Sequence, residues 1–393
     1  MKETWQETFE MLYPWRGQIP VVEVAGEPYS MGREYGQQTI PIVKTVCEGF
    51  IQGLCQATRT EKARILEEAR RYEKAVKEAT GTVYIEEMHG LADGADVPYE
   101  DILILNCGWD LLNSLPTPET HADYMCSSLS AWGSSTTQGQ MVCGHNDDGG
   151  RYIDQFLVLL RAHPAVGHDF VVPLVPGYIG YHRMWNDQGL ALFGLSLENG
   201  CTDAQFAYNM PMWILQRNLA QTSASTADAV AGLVAHPPAT AFNFLFADRF
   251  EDSRVVEATA GHQVIVPPSS GAQECVVTNH ALVDSIKPAL VLREHPSSTD
   301  YRYRVVRELL TAARGTVSVQ RVKEILSSHF DVSVGRVNPS LNSPCRHGEY
   351  VGKLTGTVSS VVLEICPDHI EAQISLGNPC EGRWRHDTLP IEM

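Results

Sequence analysis

Beyond Ser114 the chain breaks into short apolar runs of strand length, and these continue almost to its last residue. Gln140–His145, Phe156–Arg161, Gly189–Leu197, Phe242–Asp248, Arg254–Thr259, Gln263–Pro267 and Val276–His280 all have this character. Near the C-terminus, Thr357–Ile365 and Ile370–Leu376 flank the turn Cys366-Pro367-Asp368-His369. Arg254–Thr259 and Gln263–Pro267 flank Ala260-Gly261-His262 in the same way. Two strand runs joined by so short a turn read as an antiparallel hairpin. Repeated hairpins commit most of the chain to antiparallel sheet, which buries one face only when a second layer covers it.

The first third supplies part of that cover. Thr58-Arg59-Thr60-Glu61 has capping-box spacing. Ile65, Leu66, Ala69, Tyr72 and Val76 follow at helical spacing, and Gly81 can end the helix. Further helices are predicted near Ile85–Leu91 and over Ile102–Leu112. Downstream, helices are predicted at about Pro211–Gln221, Thr226–Val234 and Tyr301–Ala313, and from Ser318 through Leu326. Strands clustered in hairpins with helices between them predict an α+β protein. The stretch Leu115-Pro116-Thr117-Pro118-Glu119-Thr120 has linker composition and is the seam between the two patterns.

Composition narrows the function. Lys and Arg number 30 against 47 acids, a net charge of −17, which repels phosphate backbones and speaks against nucleic acid as a partner. No apolar run approaches the roughly 20 residues of a membrane span. The segment Met1–Glu7 carries acids and no apolar core, unlike a secretory signal, so a soluble cytoplasmic protein is expected. The ten cysteines form no C-x-x-C pair and no zinc-finger spacing, so reduced thiols, no metal and no cofactor are expected. There is no P-loop, no GxSxG elbow and no HExxH, and Gly144–Gly150 lacks the alternating oxygens of a calcium loop.

One segment does carry chemistry. In Tyr124-Met125-Cys126-Ser127-Ser128-Leu129-Ser130-Ala131-Trp132-Gly133 a cysteine opens a strand of small residues. A turn at Gln138-Gly139 and a second strand into Gly144-His145-Asn146-Asp147-Asp148 follow. This resembles the start of the mature β-chain in the acyl-coenzyme A:6-aminopenicillanate (isopenicillin N) acyltransferase family of cysteine N-terminal nucleophile hydrolases. Gly26-Glu27-Pro28-Tyr29-Ser30-Met31-Gly32-Arg33-Glu34-Tyr35-Gly36, Glu86–Ala95, Asn186-Asp187-Gln188-Gly189, Thr278-Asn279-His280, Ser343-Pro344-Cys345-Arg346-His347 and Gly377-Asn378-Pro379-Cys380 resemble further landmarks of that family, in its order.

The resemblance implies an αββα sandwich, with residues 1–125 as a helical pro-segment or α-chain and 126–393 as a β-chain within one domain. It implies self-cleavage between Met125 and Cys126, after which the Cys126 thiol is the nucleophile. The α-amine freed at that residue has a pKa of roughly 7.7–8.0 and can act as its base. Asp148 is implied as the partner of the new amino terminus and Asn243 as an oxyanion donor, with Asp248 as its competitor for that position. Arg302, with Tyr301 beside it, is implied as a substrate-binding residue. Met125 stands where the family commonly has glycine. The expected reaction is hydrolysis of a small N-acyl amide through an acyl-enzyme. Acyl transfer from a coenzyme A thioester, and an unprocessed silent binding protein, are the alternatives. The chain is expected to act on a small molecule, away from membranes, and can be a homo-oligomer. Trp132, Trp185 and Trp213 are candidates for an aromatic acyl pocket or for core.

Overall fold

A computed structural model describes residues 19–115, 125–150, 153–197, 207–268, 271–290, 297–350 and 353–392. Most of the linker Leu115–Thr120, the segment Met1–Glu7 and Cys201 lie outside these residues.

The chain opens with strand β1 (Val21–Gly26) and then runs through helices α1 (Pro28–Thr58), α2 (Lys62–Thr80), α3 (Val83–Ala95), α4 (Tyr99–Asn106) and α5 (Gly108–Ser114). The segment with sequence landmarks at Gly32 and Gly36 is therefore the first turns of a 31-residue helix. A Cβ on Gly32 would strike the carbonyl of Glu87, and one on Gly90 the carbonyl of Tyr29. Gly36 and Gly94 are closed in the same way by Leu91 and Arg33. Two pairs of glycines thus let α1 and α3 cross backbone to backbone. The expected capping box at Thr58–Glu61 does not form: Thr58 ends α1, and Glu61 is the N-cap of α2 with no side-chain cap. Gly81 ends α2 as expected, at positive φ.

The remaining strands build two sheets. One contains β1, β4 (Val158–Pro164), β5 (Phe170–Leu174), β6 (Arg183–Asn186), β7 (Leu190–Ser196), β8 (Phe242–Asp248), β9 (Ser253–Ala258) and β10 (Gln263–Val266), in that order. All its pairs are antiparallel except β1 with β4. The other runs β11 (Glu274–Val277), β2 (Met125–Gly133), β3 (Gly139–Gly150), β15 (Lys353–Ile365), β16 (His369–Leu376), β17 (Trp384–Pro390), with β14 (His347–Tyr350) also on β15. A separate two-stranded piece joins β12 (Phe330–Asp331) to β13 (Arg336–Val337). Both hairpins expected from the sequence, β9–β10 and β15–β16, are present.

Period-2 alternation assigns the layers. On β8, Phe242, Phe244 and Phe246 pack against α1–α5, α6 (Met212–Thr222) and α7 (Thr226–Ala235). Leu245 and Ala247 point the other way, into a second core with Cys126, Cys143, Val361 and Leu363 of the facing sheet. The outer face of that sheet, through Leu129, Ala131 and Val142, meets α8 (Ser298–Ala312) and α9 (Val319–Leu326). Helices, sheet, sheet, helices is the αββα sandwich. The N-terminal helices share their core with strands from beyond Cys126. Among the described residues no helix is long and apolar enough to cross a membrane.

Candidate active site

Register sets the site. Strands β2 and β3 pair so that Cys126 lies opposite Asp147, Ser128 opposite His145, and Met125 opposite Asp148. Cys126, Ser128, His145 and Asp147 therefore share the face between the sheets. Ser127, Asn146 and Asp148 share the face toward α8 and α9.

On the inner face Cys126 is 7% exposed. Its sulfur and one ring nitrogen each of His145 and His182 lie within 4.8 Å of one another. His145 Nδ1 shares a hydrogen bond of 2.7 Å with Ser128 Oγ, and its Nε2 has no hydrogen-bond partner among the described residues. His182 Nε2 is 3.0 Å from Asp147 Oδ1, and Arg183 Nη1 is 2.6 Å from Asp147 Oδ2. Burial, helped by His182 and Arg183, holds protonation of His145 well below the usual imidazole range. Burial lowers His182 as well, against the pull of Asp147. Burial works against the Asp147 charge, but His182 and Arg183 outweigh it and hold that carboxyl well below its ordinary range. Burial, with Asp147 and Asp148, pushes the Cys126 thiol well up, against Arg302 and Arg183. The result is a protonated thiol beside two neutral imidazoles. Three such donors could hold a soft cation, but the Arg183 guanidinium 3.1 Å from His182 Nε2 would repel it.

On the outer face Arg302 of α8 is fully buried. It donates to the Cys126 carbonyl, to Ser127 Oγ at 2.7 Å, to Asn279 Oδ1 at 2.9 Å and to Ser298 Oγ at 3.3 Å. Its Nη1 is 3.8 Å from Asp148 Oδ2. Asp148 Oδ1 accepts 2.7 Å from Thr357 Oγ1. Burial raises the Asp148 pKa, and Arg346 and Arg302 pull it back only partly.

These contacts revise the expected roles. The backbone N–H of Cys126 donates 2.8 Å to Asn279 Oδ1, so Asn279, not Asp148, holds the nitrogen that cleavage would free. Asn279 lies just beyond β11, and its Nδ2 donates to the carbonyl and hydroxyl of Ser196 on the facing sheet. Arg302 donates to the strand that carries Cys126, to Asn279 and to Ser298, from a fully buried position. Asn243 donates from Nδ2 to the carbonyls of Thr278 and His280. Both its amide hydrogens brace the loop that carries Asn279 and neither is left for an oxyanion. Tyr301 is half-buried and about 100° round the helix from Arg302. Trp132 and Trp185 belong to the core between the sheets. Trp213 instead stacks on Tyr181 at 5.1 Å, and both rings pack on His182, at 5.4 and 4.1 Å. A surface cleft lined by Lys44, Cys47, Glu48, Ile51, Lys62 and Asp101 contains none of these residues.

Sequence reasoning missed His145, His182, Asp147 and Asn279 as site residues. A signal for two of them existed: partners across an antiparallel pair have a constant sum, so Cys126 with Asp147 also pairs Ser128 with His145. For His182, just before β6 of the facing sheet, no sequence signal existed.

The family model of acyl-coenzyme A:6-aminopenicillanic acid acyl-transferase matches residues 135–336, just over half of the 393. The chain belongs to this family. The matched stretch holds Asp147, Asp148, Asn243, Asn279 and Arg302, and begins nine residues after Cys126. An uncharacterized protein of Archaeoglobus fulgidus is 21% identical over 361 residues, covering 82% of this chain. The chain spans only 60% of that relative's length. Among solved structures, a Caenorhabditis elegans N-acylethanolamine-hydrolyzing acid amidase ortholog is 14% identical with a TM-score of 0.44, covering 68% of this chain and 100% of its own. Penicillin V acylase from Agrobacterium tumefaciens is 14% identical with a TM-score of 0.42, covering 64% and 84%. A variant of the conjugated bile acid hydrolase from Clostridium perfringens is 12% identical with a TM-score of 0.43, covering 68% and 97%. At these scores the three likenesses bear no weight on activity.

Proposed function

We propose that the chain is a cysteine N-terminal nucleophile amidohydrolase, cleaving a small N-acyl amide after self-cleavage between Met125 and Cys126. The observation that supports this most is the grip on the Cys126 backbone: its nitrogen on Asn279 and its carbonyl on Arg302. In processing, Sγ attacks the Met125 carbonyl, the C–N bond breaks as the C–S bond forms, and the nitrogen takes up a proton. Water then cleaves the thioester. That releases a carboxylate at Met125 and restores the Cys126 thiol beside a free α-amine.

In the mature enzyme the same sulfur attacks an amide carbonyl, and water resolves the acyl-enzyme. Asn279 Oδ1 accepts from the α-amine and keeps its lone pair turned to the thiol. Tyr181 and Trp213, packed on His182, supply a flat apolar wall for the acyl group. Intact mass under denaturing conditions tests processing: two species of 125 and 268 residues are expected, the second being 393 − 125. Cys126→Ala should give one full-length folded chain, and Cys126→Ser partial cleavage with most turnover lost, since a hydroxyl is the weaker nucleophile.

His145 and His182 favour a second reading, a cysteine–histidine hydrolase that works uncleaved. A single full-length species that turns over an amide, and loses turnover in His182→Gln, would replace the first reading by this one.

A further inference from the structure

Away from Cys126 the fold gathers His329, Cys345, His347 and Cys380, whose ligand atoms all lie within 4.8 Å of one another. They come from three stretches: the loop after α9, the entry to β14, and the short helical turn Pro379–Glu381 after β16. His347 Nε2 is 3.1 Å from His329 Nε2, 3.3 Å from Cys345 Sγ and 3.5 Å from Cys380 Sγ. A neutral imidazole nitrogen offers one hydrogen or one lone pair, and so cannot serve three partners. A cation at the centre of the four can. With Zn–N near 2.0–2.1 Å and Zn–S near 2.3 Å, a tetrahedron sets nitrogens roughly 3.3 Å apart and nitrogen from sulfur roughly 3.6 Å apart. The three distances fall within a few tenths of an ångström of those edges. Two thiolates with two imidazoles suit zinc and not the oxygen-seeking magnesium or calcium.

We propose that His329, Cys345, His347 and Cys380 bind a zinc ion. The protein fills all four positions and leaves none for a water or substrate, so the ion is structural. A second shell is in place: Asn378 Nδ2 donates to Cys345 Sγ at 3.5 Å and to the Arg346 carbonyl at 2.8 Å. Backbone bonds from Cys345 to Ser328, from Asn338 to His329 and from His347 to Ser340 fix the first two stretches, and the Asn378 side chain ties the third to Arg346. The ion would also steady the outer face of the active site. Arg346, between two ligands, donates its N–H to Thr357 Oγ1, which in turn donates to Asp148. Arg346 Nε donates to the Leu341 carbonyl, which also accepts from Ser298, a partner of Arg302. The sequence expectation of no metal site is revised accordingly. Cys345 and His347 are two apart, but His329 precedes them by sixteen residues and Cys380 follows by thirty-three, a spacing no finger pattern contains.

The test is zinc content by inductively coupled plasma mass spectrometry. The full chain is purified reduced, supplied with zinc and passed over a weak chelating resin. One zinc per chain is expected for the wild type and for Cys126→Ser, and none for Cys380→Ser or His329→Gln. Cys380 is exposed, so its replacement should leave the fold intact, which circular dichroism checks. Cobalt in place of zinc should give the intense visible bands of a four-coordinate site with a thiolate charge-transfer band, absent in Cys380→Ser. The proposal is overturned by a folded wild type that keeps no zinc, or by full zinc in both ligand variants. Loss of zinc in Cys126→Ser would place the ion at Cys126, His145 and His182 instead and overturn it equally. A Cys345–Cys380 disulfide in protein kept reduced would do the same.

Discussion

Replacing Arg302 by methionine removes a buried guanidinium and little volume. It strips the Cys126 carbonyl, Ser127 and Asn279 of a shared donor and leaves the fully buried Asp148 with Arg346 as its remaining cationic neighbour. Breaking a buried pair by deleting one partner costs about 3–5 kcal/mol. At about 2.1 cal/mol/K per residue, a chain of 393 residues unfolds with an entropy of about 0.8 kcal/mol/K. The expected fall in Tm at pH 8 is therefore about 4–6 °C. Arg302→Lys should recover only part of it, because an ammonium cannot span the Cys126 carbonyl and Asn279 as the planar fork does.

The loss should depend on pH with a fixed sign. The Asp148 pKa is already raised in the folded protein, and without Arg302 it rises further. A carboxyl with a raised folded pKa contributes its full stability below its unfolded pKa of about 3.9, and that stability is lost as pH rises through the folded value. The deficit of Arg302→Met should therefore grow as pH rises, smaller near pH 5 than near pH 8, above a pH-independent part from the acceptors left at Cys126, Ser127 and Asn279. Adding Asp148→Asn should return part of the deficit at pH 8, with a coupling of about 0.5–3 kcal/mol. Thermal melts of the four proteins of this cycle at both pH values make the assay. A Tm at pH 8 within about 1 °C of wild type, or equal losses at pH 5 and pH 8, would refute the clamp.

Two further outcomes follow from the helical layer and its edge. Asp110, buried and bonded to Met212 N and Thr240 Oγ1, is pushed up to about 7 by burial, so its contribution to stability declines as pH rises from about 4 to about 7. At about 1.36 kcal/mol per unit this amounts to at most about 4 kcal/mol, and urea denaturation at pH 5 and pH 8 should show a smaller difference in Asp110→Asn than in the wild type. Gly90→Val drives a side chain into the Tyr29 carbonyl and should destabilise by about 3 kcal/mol or more, whereas Gly49→Val, with open space around its Cα, should be tolerated within about 1 kcal/mol. Soluble yield and Tm read both, and equal behaviour of the two variants would contradict the close crossing of α1 and α3.

Much of the fold was legible because its strands and helices follow simple periods. Phe242–Asp248 alternates two cores, Thr357–Ile365 and Ile370–Leu376 frame a short turn, and Ser318 caps its helix as Ser should. The long first helix was not legible. Gly32 and Gly36 weaken helix propensity, and Pro41 interrupts it, with Thr39 out of helical geometry nearby. Packing against Gly90 and Gly94 outweighs both, and that contact spans some sixty residues of sequence. The strands β5 and β6 were missed for a related reason: Phe170–Leu174 carries a proline, and Arg183–Asn186 is four residues long.

The site shows how a small error in register exchanges one acid for another. A turn centred on Gln138-Gly139 would pair Cys126 with residue 151 and leave no acid opposite it. The observed hairpin closes with Gly133 opposite Gly139, centred on Thr136, and a register shift between Ala131 and Gly133 then sets Cys126 opposite Asp147. Because the side-chain period is two, neighbouring acids then face opposite layers. Asp147 joins Cys126 between the sheets, where His182 and Arg183 keep it ionised. Asp148 points away, into the layer where Arg302 grips the Cys126 backbone from behind. One acid thus lies beside the imidazoles and the next behind the strand that carries Cys126. Replacing Asp147 should change how the Cys126 thiol titrates, whereas replacing Asp148 should change how firmly the strand beneath that thiol is held.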